Sequence, residues 1–232
     1  MTKVETFMAG QGPASRSFYF VMRAVVAGFT RVWTRMSIEG RQHIPPTGAF
    51  VLAPVHRSNM DTPIASCLTR RRMRFMGKDS LWKGGPISWV FSSLGGFPVA
   101  RGTADREALR RCIAVLESGE PLVLFPEGER KSGPVVQPML NGAAYVAVKA
   151  GTPIVPVGIG GSERVMPKGA KFIFPRKVAV VIGAPIVPPA VAGRAPRSAI
   201  ADVSAELHAT LQGLFDEAQE RAGQPTHRDA DR

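Results

Sequence analysis

The sequence predicts a single α/β domain, a mixed and mostly parallel sheet covered by helices, with an amphipathic helix at its N-terminal side. Three observations carry this. Short apolar runs at residues 49–55, 122–125, 154–157 and 178–182 are bounded by Gly, Pro or polar residues, as buried strands are. Between them lie segments whose apolar residues recur at three- and four-residue steps, the period of a helix with one buried face. A length of 232 residues, 44% apolar and 21% charged, suits one large core.

Residues 1–15 read as a flexible lead. From 18 to 36 the apolar Phe18, Val21, Met22, Val25, Val26, Phe29, Val32, Trp33 and Met36 form one helical face, with Arg16, Arg23, Arg31 and Arg35 opposite. Such a helix either lies on a membrane surface or packs on its own domain. Residues 49–55 then form a strand, and Asp61-Thr62-Pro63 opens a helix with a capping residue and an early proline. A short strand follows at 74–77, with helices at 88–94 and 103–118, the latter turning Leu109, Ile113 and Leu116 inward. Beyond the strand at 122–125 come a helix at 141–149, strands at 154–157 and 178–182, and a last helix at 198–218. The organisation is thus a lead and helix over 1–40, an α/β domain over 41–222 and a disordered polar tail over 223–232.

Thirty Lys and Arg against eighteen Asp and Glu give a net charge of +12. Such an excess suits an anionic membrane surface, phosphorylated small molecules or nucleic acid, or simply a basic surface. The run Arg70-Arg71-Arg72-Met73-Arg74 concentrates it, yet no interleaved aromatics or reader motif accompany it, so nucleic acid is not expected as a partner. Cys67 and Cys112 lie in apolar contexts without ligand spacing and read as reduced core residues; no metal is expected. No secretory signal and no run of ~20 apolar residues is present. The expectation is a peripheral protein on the cytoplasmic side of a membrane.

Chemistry concentrates in His56-Arg57-Ser58-Asn59-Met60-Asp61, directly after the first strand. An imidazole delivered by a strand, with a carboxylate a few residues on, is a general-base device: the carboxylate holds one ring N–H while the other nitrogen takes a proton from a hydroxyl. Three further segments bear on it. In Gly95-Gly96-Phe97-Pro98-Val99-Ala100-Arg101, small flexible residues lead to an arginine. Phe125-Pro126-Glu127-Gly128-Glu129-Arg130 follows a buried strand, and Ile154-Val155-Pro156-Val157 is an apolar strand containing proline. Arg101 and Arg130 suit phosphate contacts. Glu127 suits a substrate hydroxyl, or an ion pair with an arginine such as Arg101. No G-x-S-x-G elbow, P-loop or dinucleotide fingerprint occurs; Gly158-Ile159-Gly160-Gly161 reads as a loop.

In this order the four segments resemble the glycerolipid acyltransferases of the 1-acylglycerol-3-phosphate (lysophosphatidic acid) acyltransferase family. His56 and Asp61 match its H-x4-D block; Gly96, Phe97 and Arg101 its glycine–arginine block. Phe125, Pro126, Glu127, Gly128 and Arg130 match F-P-E-G, and Val155, Pro156 and Val157 match V-P-V. Glu129 and Lys131 stand where the family often has Thr and Ser. The resemblance implies transfer of an acyl group from acyl-CoA or acyl carrier protein to a lysophospholipid hydroxyl, with His56 as base oriented by Asp61. It assigns Arg101, Glu127, Gly128 and Arg130, with Lys78, to substrate binding; apart from the resemblance, the backbone around Ser58 and Asn59 is expected to supply oxyanion donors. It implies acyl-CoA as co-substrate and no bound cofactor. Another acceptor, such as glycerol-3-phosphate, or a non-catalytic lipid- or CoA-binding module, are the alternatives.

Overall fold

A computed structural model describes residues 10–230 except 83, 100–105, 168, 192 and 194. Seven strands form one sheet: β1 (Ser37–Glu39), β2 (Val51–Pro54), β3 (Arg74–Lys78), β4 (Gly96–Val99), β5 (Leu122–Val123), β6 (Ile154–Gly160) and β7 (Ala179–Ile182). Their spatial order is β1-β7-β6-β2-β5-β3-β4, and every pairing is parallel except β6 with β7. The mixed, mostly parallel sheet is therefore as expected. The helices are α1 (Pro13–Trp33), α2 (Asp61–Cys67), α3 (Gly85–Ser93), α4 (Arg106–Glu117), α5 (Gly142–Ala150), α6 (Ser162–Val165), α7 (Arg197–Ala222) and α8 (His227–Ala230).

Two strands escape the sequence pattern. Three-residue β1 is an edge with little buried surface. β4, expected as flexible chain, is the opposite edge, where a strand tolerates Pro98. Gly95, at φ 90°, makes the turn into it; a Cβ there would lie 2.2 Å from the Met73 carbonyl.

Gly158–Gly160 of the expected loop are instead the end of β6, and Gly161 turns the chain into α6. Gly158 and Gly160 lie on one face of that strand, and α7 packs its backbone directly against them. A Cβ on either would sit within 2.2 Å of the Leu214 or Ala218 carbonyl oxygen. These glycines mark a close helix–strand approach. The polar tail also departs from expectation, because α8 folds back onto α7. The His227 N–H donates to buried Asp216, whose carboxylate also pairs with the His227 ring, and Asp229 accepts from Thr226.

α1 packs on the domain along one side and leaves apolar residues exposed on the other. Its Ser15, Tyr19 and Thr30 are buried against the domain, while Val21, Val25, Phe29 and Val32 face outward. Arg23 donates to the Thr69 and Cys67 carbonyls at the C-terminal end of α2. No described helix is long and apolar enough to cross a membrane.

Three arginines of the basic run, Arg71, Arg72 and Arg74, are architectural, while Arg70 is exposed. Arg71 donates to the Pro45 and Gly119 carbonyls, and Arg72 to those of Gly10, Ser92 and Ser93. Burial, aided by the charge of Arg74, brings Arg72 down to about 10. Arg74 is buried and paired with Glu120. Burial alone would raise the Glu120 carboxyl, but Arg74, Gln11 and Arg72 outweigh it and hold it below its ordinary value. A carboxyl lowered in the native state contributes stability above the ordinary carboxylate range and loses it as pH falls through the native value. Glu120→Gln is therefore expected to cost about 2 kcal/mol near neutral pH, with a gap from wild type that narrows on acidification. Denaturant melts across pH check this.

Both cysteines are buried thiols. Burial pushes Cys112 up to about 12 and raises Cys67 as well.

Candidate active site

The parallel strands aim their C-terminal ends at one edge of the sheet, where ligand groups collect in α/β folds. β2 and β5 are neighbours, so the segments after them emerge side by side. The Val55 N–H donates to the Val157 carbonyl at 3.1 Å, so the Val155-Pro156-Val157 block holds the chain just before His56.

His56 is fixed on three sides. Its Nδ1 lies 3.0 Å from Asp61 Oδ2, and its ring stacks on Phe125 with centroids 3.9 Å apart. The His56 backbone N–H donates to Glu127 Oε2 at 3.1 Å. A carboxylate only accepts, so Nδ1 carries a proton, and in the neutral ring the lone pair is then on Nε2. No described protein group bonds Nε2, and the residue lines a cavity of about 700 Å³.

Asp61 does not cap α2 as expected. It is the first helical residue, and its fully buried carboxylate turns back to accept the Arg57 and Ser58 N–H groups at 2.6 and 2.7 Å. That corrects the assignment of Ser58 as an oxyanion donor: its N–H is held by Asp61. Its hydroxyl is equally engaged, donating to the Met166 carbonyl and accepting from the Met60 N–H. Asn59, by contrast, is exposed and lines the cavity.

Glu127 is not on the cavity wall. It is 3% exposed, and its Oε2 takes the Arg57 Nη1 at 2.6 Å as well as the His56 N–H; its Oε1 takes the Gln137 N–H. Arg57, likewise buried, also donates to the His56, Gly133 and Val135 carbonyls and lies over the Phe215 ring at 4.8 Å. The ion pair that the sequence offered to Arg101 belongs to Arg57. No signal in the sequence singled out Arg57, beyond the need of a buried carboxylate for a cation.

Gly128, at φ 72°, turns the chain after Glu127 and lines the cavity with Glu129 and Arg130. Glu129 pairs with Lys131 at 2.7 Å. Lys78 is the last residue of β3, and Arg101 lies outside the described residues.

From this polar mouth the cavity extends past β5 toward β3 and β4, about 14 Å at the usual strand spacing. Its walls become apolar there: Met22 and Val26 of α1, Phe75 and Met76 of β3, Trp82 and Phe91. Trp82 is buried, and its Nε1–H donates to Ser92 Oγ at 3.1 Å. Gly77 and Gly96 make room for its ring; a Cβ on them would sit 2.7 and 3.2 Å from it. One cavity thus joins an imidazole and a guanidinium to an apolar compartment.

A family model described as acyltransferase matches residues 35–160, more than half of the chain. The chain is 28% identical over 156 residues to the chloroplastic 1-acyl-sn-glycerol-3-phosphate acyltransferase BAT2 of Brassica napus, covering 66% of this chain and 45% of that protein. It is 26% identical over 153 residues to the 1-acyl-sn-glycerol-3-phosphate acyltransferase of Bacillus subtilis, covering 65% of this chain and 73% of that one. The chain thus spans about half the length of the plant relative and nearly three quarters of the bacterial one. The crystal structure of the 1-acyl-sn-glycerophosphate acyltransferase PlsC from Thermotoga maritima superposes with a TM-score of 0.71 at 25% identity, over 90% of this chain and 85% of that one.

Proposed function

The chain belongs to the glycerolipid acyltransferase family, and from that premise we propose that it moves a fatty acyl group from an acyl thioester to the free hydroxyl of lysophosphatidic acid, giving phosphatidic acid. The observation that carries this is His56 held by Asp61 through Nδ1, at the mouth of a cavity whose far end is apolar. His56 Nε2 takes the hydroxyl proton as the oxygen attacks the thioester carbonyl. The C–O bond forms, the C–S bond breaks, and the imidazolium returns its proton to the departing thiolate. Asp61 fixes the ring and stabilises the imidazolium. The thioester is already activated, so the transfer is direct, within a ternary complex.

In this reading Arg130 meets the acceptor phosphate, joined by Arg101 and Lys78, and Gly128 allows close backbone approach. Asn59 supplies an oxyanion donor. Acyl-CoA or acyl carrier protein is the donor. The outward apolar face of α1, with Arg16, Arg31 and Arg35, rests on an anionic membrane surface on the cytoplasmic side.

A second reading keeps the chemistry and changes the acceptor. Glu129 at the cavity mouth favours it: paired with Lys131, it stands where the family often carries Thr, so an acceptor headgroup meets different partners there. A panel of lysophosphatidic acid, glycerol-3-phosphate and neutral or inositol lysolipids, assayed with one acyl-CoA by thiol release, separates the two. Fastest turnover of lysophosphatidic acid supports the first; preference for another acceptor overturns it.

The apolar end supports an acyl-chain compartment, and its length is open to change in both directions. Trp82→Ala is expected to shift preference toward longer acyl chains, by about fourfold for each methylene newly accommodated. Gly77→Ala crowds the indole, since its Cβ would lie 2.7 Å from the ring, and is expected to shift preference toward shorter chains. Donor-length profiles of the two variants check this.

A further inference from the structure

Between α6 and β7 the chain runs Lys171-Phe172-Ile173-Phe174-Pro175-Arg176-Lys177, a segment the activity does not use. Phe172 is 60% and Phe174 38% exposed, and their rings meet edge to face at 5.2 Å. Hydrophobic rings seldom stand in water without a reason when they adjoin a larger apolar surface. These do adjoin one. The Trp33 indole N–H donates to the Ile173 carbonyl at 3.0 Å, and Trp33 stacks on Phe29 of α1. From there the outward row Phe29, Val25 and Val21, with Val32 78% exposed, continues along the helix. The segment follows the C-terminal end of β6, on the edge of the sheet that carries His56. Lys171, Arg176 and Lys177 are exposed and make no ion pair among the described residues. Exposed Arg31 and Arg35 lie at the adjacent end of α1.

We propose that Phe172 and Phe174 are a second membrane-insertion point, which with α1 fixes the active-site edge against an anionic bilayer. A single helix lying in the interface leaves the domain free to roll about its axis. A second apolar contact, off that axis and tied to its end through Trp33, removes this freedom. The positive rim is complementary to acidic headgroups, while aromatic rings suit the boundary between headgroups and acyl chains. This commits the surface to lipid and rests on the membrane reading of α1 above.

The test uses the full chain with vesicles of phosphatidylcholine, with and without phosphatidylglycerol. Phe172→Ser with Phe174→Ser is expected to weaken flotation by about tenfold or more. Neutralising Lys171, Arg176 and Lys177 to Gln should weaken it about fivefold per residue at low salt, only on vesicles containing phosphatidylglycerol. Both variants should keep wild-type turnover of a short-chain, water-soluble lysophosphatidate. A Phe172→Cys variant extends the test, because Cys67 and Cys112 are buried and the new thiol alone takes an environment-sensitive fluorophore. Its emission should shift to the blue and brighten on vesicles. Wild-type flotation matched by the Phe172/Phe174 variant, or an unshifted label, would overturn the proposal while leaving α1 as an anchor. A wild-type chain that does not float would overturn both. A lipid-free dimer that the serine substitutions dissociate would assign the surface to a second copy instead.

Discussion

His56→Ala is expected to lower acyl transfer by about a thousandfold or more, with the fold intact. The reason lies in how the turn is held. Asp61 keeps its bonds to the Arg57 and Ser58 N–H groups when the ring is gone, and the His56 backbone N–H still reaches Glu127. The substitution therefore removes Nε2 without removing the turn that carries it. Asp61→Ala would be less informative, because it strips acceptors from two buried amides as well as from the ring. Steady-state turnover alongside a thermal melt is the measurement. Turnover within a few-fold of wild type would remove His56 from the chemistry.

Glu127→Gln should produce a different signature. In the resemblance Glu127 belongs to the acceptor site, but here it stands behind His56, bonded to the His56 N–H and to buried Arg57. Gln leaves the Arg57 charge uncompensated, at a cost of about 3 kcal/mol. It also loosens the backbone that sets the imidazole, and a misplacement of about 1 Å can lower rate by about a hundredfold. The expectation is a large fall in kcat with the acceptor KM nearly unchanged. Arg57→Lys, which keeps the charge and loses the fork to the Gly133 and Val135 carbonyls, should move kcat the same way without touching the cavity wall. A raised acceptor KM at unchanged kcat would return Glu127 to direct substrate contact.

The contrast between these residues shows which parts of the molecule could be read in advance. His56 and Asp61 are five positions apart and meet within one turn, so their spacing alone specifies their geometry. Arg57 and Glu127 are seventy positions apart and meet only because β2 and β5 pair. The fold divides similarly. β2, β6 and β7 are buried at each of their positions and, but for the glycines of β6, apolar, and β2, β7 and the first four residues of β6 are legible as strands. Gly158 and Gly160 imitate a turn signal, because the sequence does not show that α7 will lie against them. In α1 the apolar residues cover both sides: Met22 and Val26 line the cavity while Val21 and Val25 face out. A helical wheel merges them into one stripe and cannot show which edge meets the domain.

The most direct test of the account is product stoichiometry. Wild-type chain incubated with acyl-CoA and lysophosphatidic acid should release free CoA and form phosphatidic acid in equal amounts, and release little CoA when the acceptor is omitted. CoA released without phosphatidic acid, or donor bound with no thiol released at all, would contradict acyl transfer to the lysolipid hydroxyl.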